Sequence, residues 1–289
     1  SRDLFLVAVT GTNGKTTTAI LTRHLLAPHG SAAAMGTLGL VGPDGAPRRG
    51  TDSLTTPGPV QLMSWIRDLA DEGVRSLALE ASSHALAQRR LDALRFNVAV
   101  FTNLTQDHLD FHENLEDYFS AKTRLVDLLE DEGTLVLNRD DRAWDRISWD
   151  GHTVTFALGR EADVRALDLE LGAAGSTFRL VTEGGAARVE LPLLGRFNVE
   201  NALAAAAVAL TLGLTLADVA AGLSGAPQVP GRLEMVTAEP VPVLIDFAHT
   251  PDAVAGVLDT LRPLVGGRLV VGFGAGGDRD RTKRRPMAE

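Results

Sequence analysis

The sequence predicts an α/β fold: a mostly parallel sheet flanked by helices, a small antiparallel β subdomain, and the start of a further α/β domain. Three observations predict it. An apolar strand at residues 4–9 runs through a glycine-rich turn into a helix, and strand and helix signals then alternate as far as Leu137. Between His152 and Leu194 the pattern changes to short alternating runs separated by Gly pairs.

Residues 4–9 form a near-continuous apolar run, as a strand buried on both faces does. The segment 16–26 places Ile20, Leu21 and Leu25 at helical spacing. A second helix opens at Pro59, suited to a first helical position, and runs through Leu62, Met63, Ile66 and Leu69 to a stop at Gly73. Strands are expected at 76–79, 97–101 and 134–137, which with the helices imply a mostly parallel sheet covered on both faces. The runs 176–181 and 188–191 alternate, as in an antiparallel meander. Helices return at 199–212 and 216–223, the latter with Thr215 and Asp218 at capping-box spacing. After a Pro/Gly-rich stretch at 227–231, strand, helix and strand signals at 243–247, 251–261 and 268–273 mark a new, Rossmann-like unit. A domain boundary is therefore expected near Glu239, with 1–238 as a central domain and 239–289 as a truncated C-terminal one. The chain lacks an initiator Met and stops after a glycine-rich, basic segment, so a fragment is expected.

The 289 residues carry a net charge of −9, from 37 acidic against 28 basic side chains. That balance excludes a nucleic-acid or anionic-membrane surface spread over the molecule, so any polyanion must be held locally. Without cysteine there is neither a disulfide framework nor thiolate chemistry. The apolar run at 4–9 is too short for a signal or membrane helix, and a cytoplasmic, monomeric protein is the expectation.

The segment Gly11-Thr12-Asn13-Gly14-Lys15-Thr16-Thr17 follows a strand and opens a helix, the context that a phosphate-binding P-loop requires. Glycines let backbone N–H groups converge on phosphate oxygens, and the helix N-terminus adds partial positive charge. Lys15 would reach the β and γ phosphates of ATP, and the Thr16 hydroxyl would ligate Mg²⁺. Val9 stands where the commoner motif has its first glycine, so the loop is shortened. A glycine-rich turn with a solvated lysine is the plain alternative, and the flanking strand and helix argue against it. Glu80 ends a second apolar strand, where ligands of such sheets collect. After a third strand, residues 102–112 gather hard oxygen donors and imidazoles, a set suited to Mg²⁺ or Mn²⁺. Capping or hydrogen-bonding roles for Asp107 and His108 stay open at this point.

The runs TGTNGKTTT, LEASSHALAQRRL, FTNLTQDHLDFHENLEDYFSAKTRL, GRFNVENALAAAA, PGRLEMV and IDFAHTPDAV, in this order, resemble the Mur ligases, in particular the tripeptide-forming branch of peptidoglycan synthesis. The resemblance covers the central ATPase domain and the beginning of the C-terminal domain. It implies ATP and Mg²⁺ as cofactors, and a UDP-N-acetylmuramoyl dipeptide and a diamino acid as partners. It also implies that Lys15 and Thr16, with Gly11, Thr12, Asn13, Gly14 and Thr17, hold ATP. Glu80 and His108 would ligate a second Mg²⁺, with Lys122 carried as a carbamate. A free lysine has a pKa of about 10.4 and captures CO₂ only as the neutral amine, so neighbouring cations must lower it. Thr55, Thr56, Ser82, Gln88 and Arg90 match positions that contact the muramoyl dipeptide. Asn198 and Asn201 match an adenine-facing pair, and Arg232, Asp246 and His249 match residues that close over ribose and phosphates. Asn198 is also a natural helix N-cap. The basic run from Arg279 to Arg285 reads equally as a solvated tail or as a nucleotide neighbour.

Two other functions compete. A sister ligase, such as a folylpolyglutamate synthase-like enzyme or another wall ligase, shares much of this pattern; the SSHAL and AHTPDA runs speak for the tripeptide branch. A non-ligating, GTPase-like nucleotide switch would need a guanine-reading Asn-Lys-x-Asp segment, which the sequence lacks. The fragment itself is expected to be inactive.

Overall fold

A computed structural model describes residues 4–50, 54–108, 111–274 and 284–288. The amino-terminal part alternates β1 (Phe5–Thr10), α1 (Lys15–Leu26), the strands β2 (Ala32–Gly36), β3 (Gly39–Val41) and β4 (Pro47–Arg49), α2 (Pro59–Asp71) and β5 (Ser76–Glu80). It continues through α3 (Ser83–Ala87), β6 (Phe96–Phe101), α4 (Leu115–Thr123), β7 (Leu129–Asn138) and β8 (His152–Ala157). Then come β9 (Val164–Gly172), β10 (Gly175–Thr182), β11 (Gly185–Leu191), α5 (Arg196–Thr211) and α6 (Leu216–Ser224). The last part holds β12 (Glu234–Thr237), β13 (Val243–Ile245), α7 (Pro251–Leu261) and α8 (Arg284–Ala288).

Eleven strands form one sheet in the order β11-β10-β9-β8-β7-β6-β1-β5-β2-β3-β4. The central pairs are parallel and the outer pairs at both ends antiparallel. Burial on both faces explains the unbroken apolar run of β1. Val7 and Val9 belong to a core shared with α1, α5 and α6, whereas Leu6 and Ala8 belong to the opposite core with α2. Helix α5 can lie close to the sheet and to α1 because Ala202 and Ala204–Ala207 present only methyl groups there.

Several elements differ from the sequence expectation. The antiparallel meander begins at β9, not near His152: β8 pairs in parallel with β7, and the meander continues the main sheet. The helix that carries Lys122 ends at Thr123, and Leu129 is taken into β7 opposite Phe96. Asn198 is not an N-cap. Gly195, at φ +90°, fills that place, and Asn198 already lies inside the first turn with its N–H on the Gly195 carbonyl. Residues 268–273 form no strand; no neighbouring backbone pairs with them among the described residues, and Val270 stays 75 % exposed. Strand β13 pairs instead with β12, which periodicity had not marked. The Thr215 cap is present: its hydroxyl oxygen accepts from the Asp218 N–H at 3.1 Å and its O–H reaches the Asp218 carboxylate at 2.6 Å.

Candidate functional site

Strands β6, β1 and β5 are adjacent, with Val9 level with Glu80 and Thr10 level with Phe101. Their carboxyl ends therefore open side by side, and the loops that follow them meet in one place. The loop after β1 needs glycine twice. Gly11 has φ +145° and a Cβ there would stand 1.9 Å from Thr102 Oγ1; Gly14 has φ +87° and a Cβ there would stand 2.2 Å from Asn201 Oδ1. The β6 loop fixes this turn from the side. Thr12 N–H donates to the Asn103 carbonyl at 2.7 Å, Asn13 N–H to Asn103 Oδ1 at 2.8 Å, and Thr102 Oγ1 to the Asn13 carbonyl at 2.7 Å. Helix α1 starts at Gly14 with no side-chain cap and no acidic residue in its first turn, which leaves amide donors and positive dipole for an anion.

Cations converge on this turn. Lys15 Nζ donates to the carbonyls of Gly11 at 2.9 Å and Thr12 at 2.8 Å, and Lys122 Nζ donates to the same Gly11 carbonyl at 2.7 Å. The Lys122 ammonium also lies 4.2 Å from the centre of the Tyr118 ring. Burial lowers Lys122 well below the ordinary lysine range, and the neighbouring Lys15 charge lowers it further. Burial also lowers Lys15, against the pull of Glu80 and Asp107. His108, at φ +54° beside the buried Asp107, is pushed down to about 4, first by burial and then by His84, Lys15 and Lys122, with Asp107 opposing. Its ring is neutral at pH 7 and can act as a ligand.

Glu80 sits among these cations at 2 % exposure. Its Oε1 accepts from the Thr37 N–H at 2.7 Å; its Oε2 accepts from Thr16 Oγ1 and Thr37 Oγ1, both at 3.1 Å. Burial raises this carboxyl above the usual range, while Lys15, the Thr37 N–H, Arg232 and Thr16 pull it back.

The expected acceptor residues form a connected group next to Glu80. Thr56 Oγ1 donates to the Glu80 carbonyl at 2.7 Å and lies 3.2 Å from Ser82 Oγ, while the Thr56 carbonyl accepts from Arg90 Nη1 at 2.9 Å. Arg90 Nε in turn reaches Gln88 Oε1 at 2.9 Å, and Thr55 Oγ1 stands 3.4 Å from Thr37 Oγ1. Buried His112 braces the two loops: one ring nitrogen is 3.0 Å from Ser83 Oγ and the other 3.1 Å from Asp117.

Asn198 and Asn201 are buried and linked by a 3.2 Å hydrogen bond. Asn198 Nδ2 donates to the Leu194 carbonyl at 2.9 Å, and Asn201 Oδ1 lies under Gly14, 3.4 Å from Thr18 Oγ1. Thr17 is buried in the first turn of α1. From the carboxyl-terminal side, Arg232 Nη2 donates to Thr16 Oγ1 at 2.9 Å. Asp246 fixes that arginine's surroundings by accepting from the Leu233 N–H at 2.8 Å and the Ala248 N–H at 2.7 Å. His249 is not drawn in: it is exposed, with Nδ1 2.9 Å from the Phe247 carbonyl. Of the basic run from Arg279 to Arg285, residues 279–283 lie outside the described residues.

The structure thus brings together Lys15, Thr16, Glu80, His108, Lys122 and Arg232. Sequence reasoning missed Thr37, Asn103 and Tyr118. Thr37 follows an alanine-rich strand with weak β propensity, and only its place at a strand's carboxyl end could have marked it. Among the described residues no group of three or more His, Cys, Asp or Glu side chains stands ready to hold a metal. A hydroxyl and one carboxylate are nevertheless a donor set that suits Mg²⁺, which takes its remaining ligands from phosphates and water. No helix among the described residues is long and apolar enough to cross a membrane.

A family model described as the Mur ligase middle domain matches residues 9–209, and one described as the Mur ligase glutamate ligase domain matches residues 231–289. The UDP-N-acetylmuramoyl-L-alanyl-D-glutamate--2,6-diaminopimelate ligase of Geobacter sulfurreducens is 44 % identical over 293 residues, covering 98 % of this chain and 57 % of the relative. The UDP-N-acetylmuramyl-tripeptide synthetase of Deinococcus radiodurans is 44 % identical over 295 residues, covering 100 % of this chain and 60 % of the relative. A solved structure of a UDP-N-acetylmuramoyl-L-alanyl-D-glutamate--2,6-diaminopimelate ligase superposes with a TM-score of 0.79 at 38 % identity, over 99 % of this chain and 59 % of the other. The chain spans less than two thirds of the length of these relatives.

Proposed function

The chain belongs to the Mur ligase family, and on that premise we propose that its whole protein is a cytoplasmic, monomeric ATP-dependent carbon–nitrogen ligase of peptidoglycan synthesis. It adds a diamino acid, 2,6-diaminopimelate as in the name of the G. sulfurreducens relative, to UDP-N-acetylmuramoyl-L-alanyl-D-glutamate. The observation that carries the reading is the convergence of Lys15, Lys122, Glu80 and Arg232 on one glycine turn at the start of an uncapped helix.

In this reading the acceptor carboxylate attacks the γ-phosphorus of ATP. The bond to the β,γ-bridging oxygen breaks, and ADP and an acyl phosphate form. The amine of the incoming amino acid then attacks the acyl carbon, loses a proton and expels phosphate, leaving an amide. Nothing here requires a covalent bond to the protein, so catalysis rests on alignment and on cations facing developing negative charge. Residues 11–17 would hold the triphosphate, with Lys15 on its terminal oxygens. Thr16, Glu80, His108 and a carboxylated Lys122 would hold Mg²⁺, which when bound neutralises phosphate charge and polarises the transferring group. The lowered basicity of Lys122 supports carbamate formation, since only the neutral amine adds to CO₂. Thr55, Thr56, Ser82, Gln88 and Arg90 would seat the dipeptide, and Asn198 and Asn201 would stand beneath the adenine side of the loop. Asp246 and His249 would close from a second domain that begins near Glu239, following a hinge movement, onto a nucleotide that Arg232, just before that boundary, also faces. The test is the product mass from the full-length enzyme supplied with ATP, the muramoyl dipeptide and a panel of diamino acids. Addition of one diaminopimelate residue with release of one phosphate is expected; hydrolysis of ATP without amide formation, across the panel, overturns the reading.

A further inference from the structure

Thr37 lies outside every motif run considered above, yet it holds both oxygens of Glu80. Its N–H donates to Oε1 at 2.7 Å and its hydroxyl to Oε2 at 3.1 Å, a two-point grip from one residue on one carboxylate. The approach depends on Gly36, where a Cβ would stand 2.0 Å from Oε1. Thr16 Oγ1 also reaches Oε2, at 3.1 Å. A carboxylate offers about four acceptor positions, so these three donors leave its free lone pair in a fixed direction. A hydroxyl has a single proton. Once the Thr37 proton is on Glu80, its oxygen can only accept, and Thr55 Oγ1 at 3.4 Å is the group placed to donate to it.

We propose that Thr37 is a positioning residue for the ligase reaction: it sets the plane of the Glu80 carboxylate toward the divalent cation, and its hydroxyl joins that carboxylate to the acceptor-side residue Thr55. The inference rests on the ligase reading. Groups that hydrogen-bond a ligating carboxylate fix its orientation, and their loss lowers metal affinity about 10–100-fold. Thr37 is half-buried at the end of β2, so a valine of the same shape fits without repacking.

The probe is Mn²⁺, titrated by electron paramagnetic resonance into the 289-residue chain saturated with a non-hydrolysable ATP analogue. Thr37→Val is expected to weaken Mn²⁺ binding about tenfold or more, and Thr37→Ser to restore it to near the wild-type value. Affinity for the metal-free analogue stays the same in all three proteins. Thermal midpoints verify folding, and Thr37→Ala, expected to lose as much as the valine variant, replaces it if valine prevents folding. Wild-type Mn²⁺ affinity in a folded Thr37→Val or Thr37→Ala protein overturns the role of Thr37 alone, as does a serine variant no better than valine. A wild-type chain that takes up the analogue but no Mn²⁺ overturns the metal-assisted ligase reading and this inference with it.

Discussion

Glu80, Asp107 and Lys122 are buried beneath the ends of β1, β5 and β6, whereas Val243, Ile245, Phe247 and His249 in the carboxyl-terminal part are exposed. The first group is held by hydrogen bonds from several loops at once. The second meets the sheet domain through the Leu194, Leu233 and Leu261 cluster and the Arg232 bond to Thr16. Ionisable side chains tolerate such burial only where neighbours satisfy them: Glu80 accepts from Thr37 and Thr16, Asp107 accepts from the His108 N–H, and Lys122 donates to the Gly11 carbonyl. One side of the site is therefore preorganised by the core, and the other is attached to it, among the described residues, mainly by Arg232 and a small apolar contact. On this contrast, substitutions on the sheet side damage both chemistry and stability, whereas substitutions on the other side leave stability almost unchanged.

Lys122→Ala is the strongest way to break the comparison. In the full-length enzyme it is expected to lower ligation by on the order of 10²–10³-fold, the loss typical of removing one transition-state charge partner. Binding of the ATP analogue is expected to change little, because Lys122 donates to a loop carbonyl and Lys15 supplies the other donor there. Steady-state kinetics beside calorimetric binding reads both. Partial recovery on addition of short carboxylic acids supports the carbamate; wild-type turnover in carbonate-free buffer removes it.

A pair of glycine substitutions sharpens the contrast in stability. Gly14→Ala must bear φ +87° and a Cβ 2.2 Å from Asn201 Oδ1, whereas Gly231→Ala at φ +65° has nothing within 4 Å. The first is expected to cost about 2–3 kcal/mol, or about 4–9 °C in melting temperature, and the second about 1 kcal/mol. Differential scanning calorimetry measures the difference. Equal losses would mean that the glycine turn is no more constrained than the linker.

The parts of this contrast that sequence alone revealed are the ones written in local chemistry. A glycine turn between an apolar strand and a helix is dictated by φ, by the missing Cβ and by the helix dipole, so residues 11–17 were readable directly. Glu80 was readable as a strand-end carboxylate. Lys122 was not: on its helix it resembles any solvated lysine, and only the resemblance to a family singled it out, because burial beside Lys15 is a tertiary fact. The strand β2 escaped because three of its five residues are alanine, and its place is decided by pairing with β5. Residues 268–273 carry the opposite error: their apolar pattern promised a strand, but a strand also needs a neighbour.

Glu200 tests whether the sheet side couples to pH. It sits on α5 next to Asn201, and burial raises its carboxyl to about 7, with Asp140 raising it further and Arg196 lowering it. The folded state therefore holds a proton that the unfolded chain releases near pH 4.5. Its stabilising contribution is complete below that pH and is lost as pH rises through 7. Allowing for the partial exposure of the side chain, Glu200→Gln is expected to remove about 1–2 kcal/mol of pH dependence between pH 5 and 8. The variant should melt above the wild type at pH 8 and close to it at pH 5. Parallel melting curves for the two proteins across that range would show that the carboxyl titrates normally.

The smallest expected effect belongs to His249, and it probes the other half of the comparison. The residue is exposed, its Nδ1–H bonds to the Phe247 carbonyl two residues back, and its ring meets Phe247 edge-on at 5.3 Å. Phe247 in turn lies under the Arg232 guanidinium, 4.9 Å from the ring centre, so His249 reaches Thr16 only through two intervening side chains. A surface residue with such contacts contributes within about 0.5 kcal/mol to stability. His249→Ala is thus expected to leave the melting temperature of the 289-residue chain unchanged. In the full-length enzyme the same substitution raises KM for ATP if hinge closure carries His249 onto the nucleotide. An unchanged melting temperature together with a raised KM would show that this side of the site is assembled by closure and not by folding. A large drop in melting temperature would mean that the carboxyl-terminal side is as tightly built as the glycine turn, and the contrast between the two halves would fail.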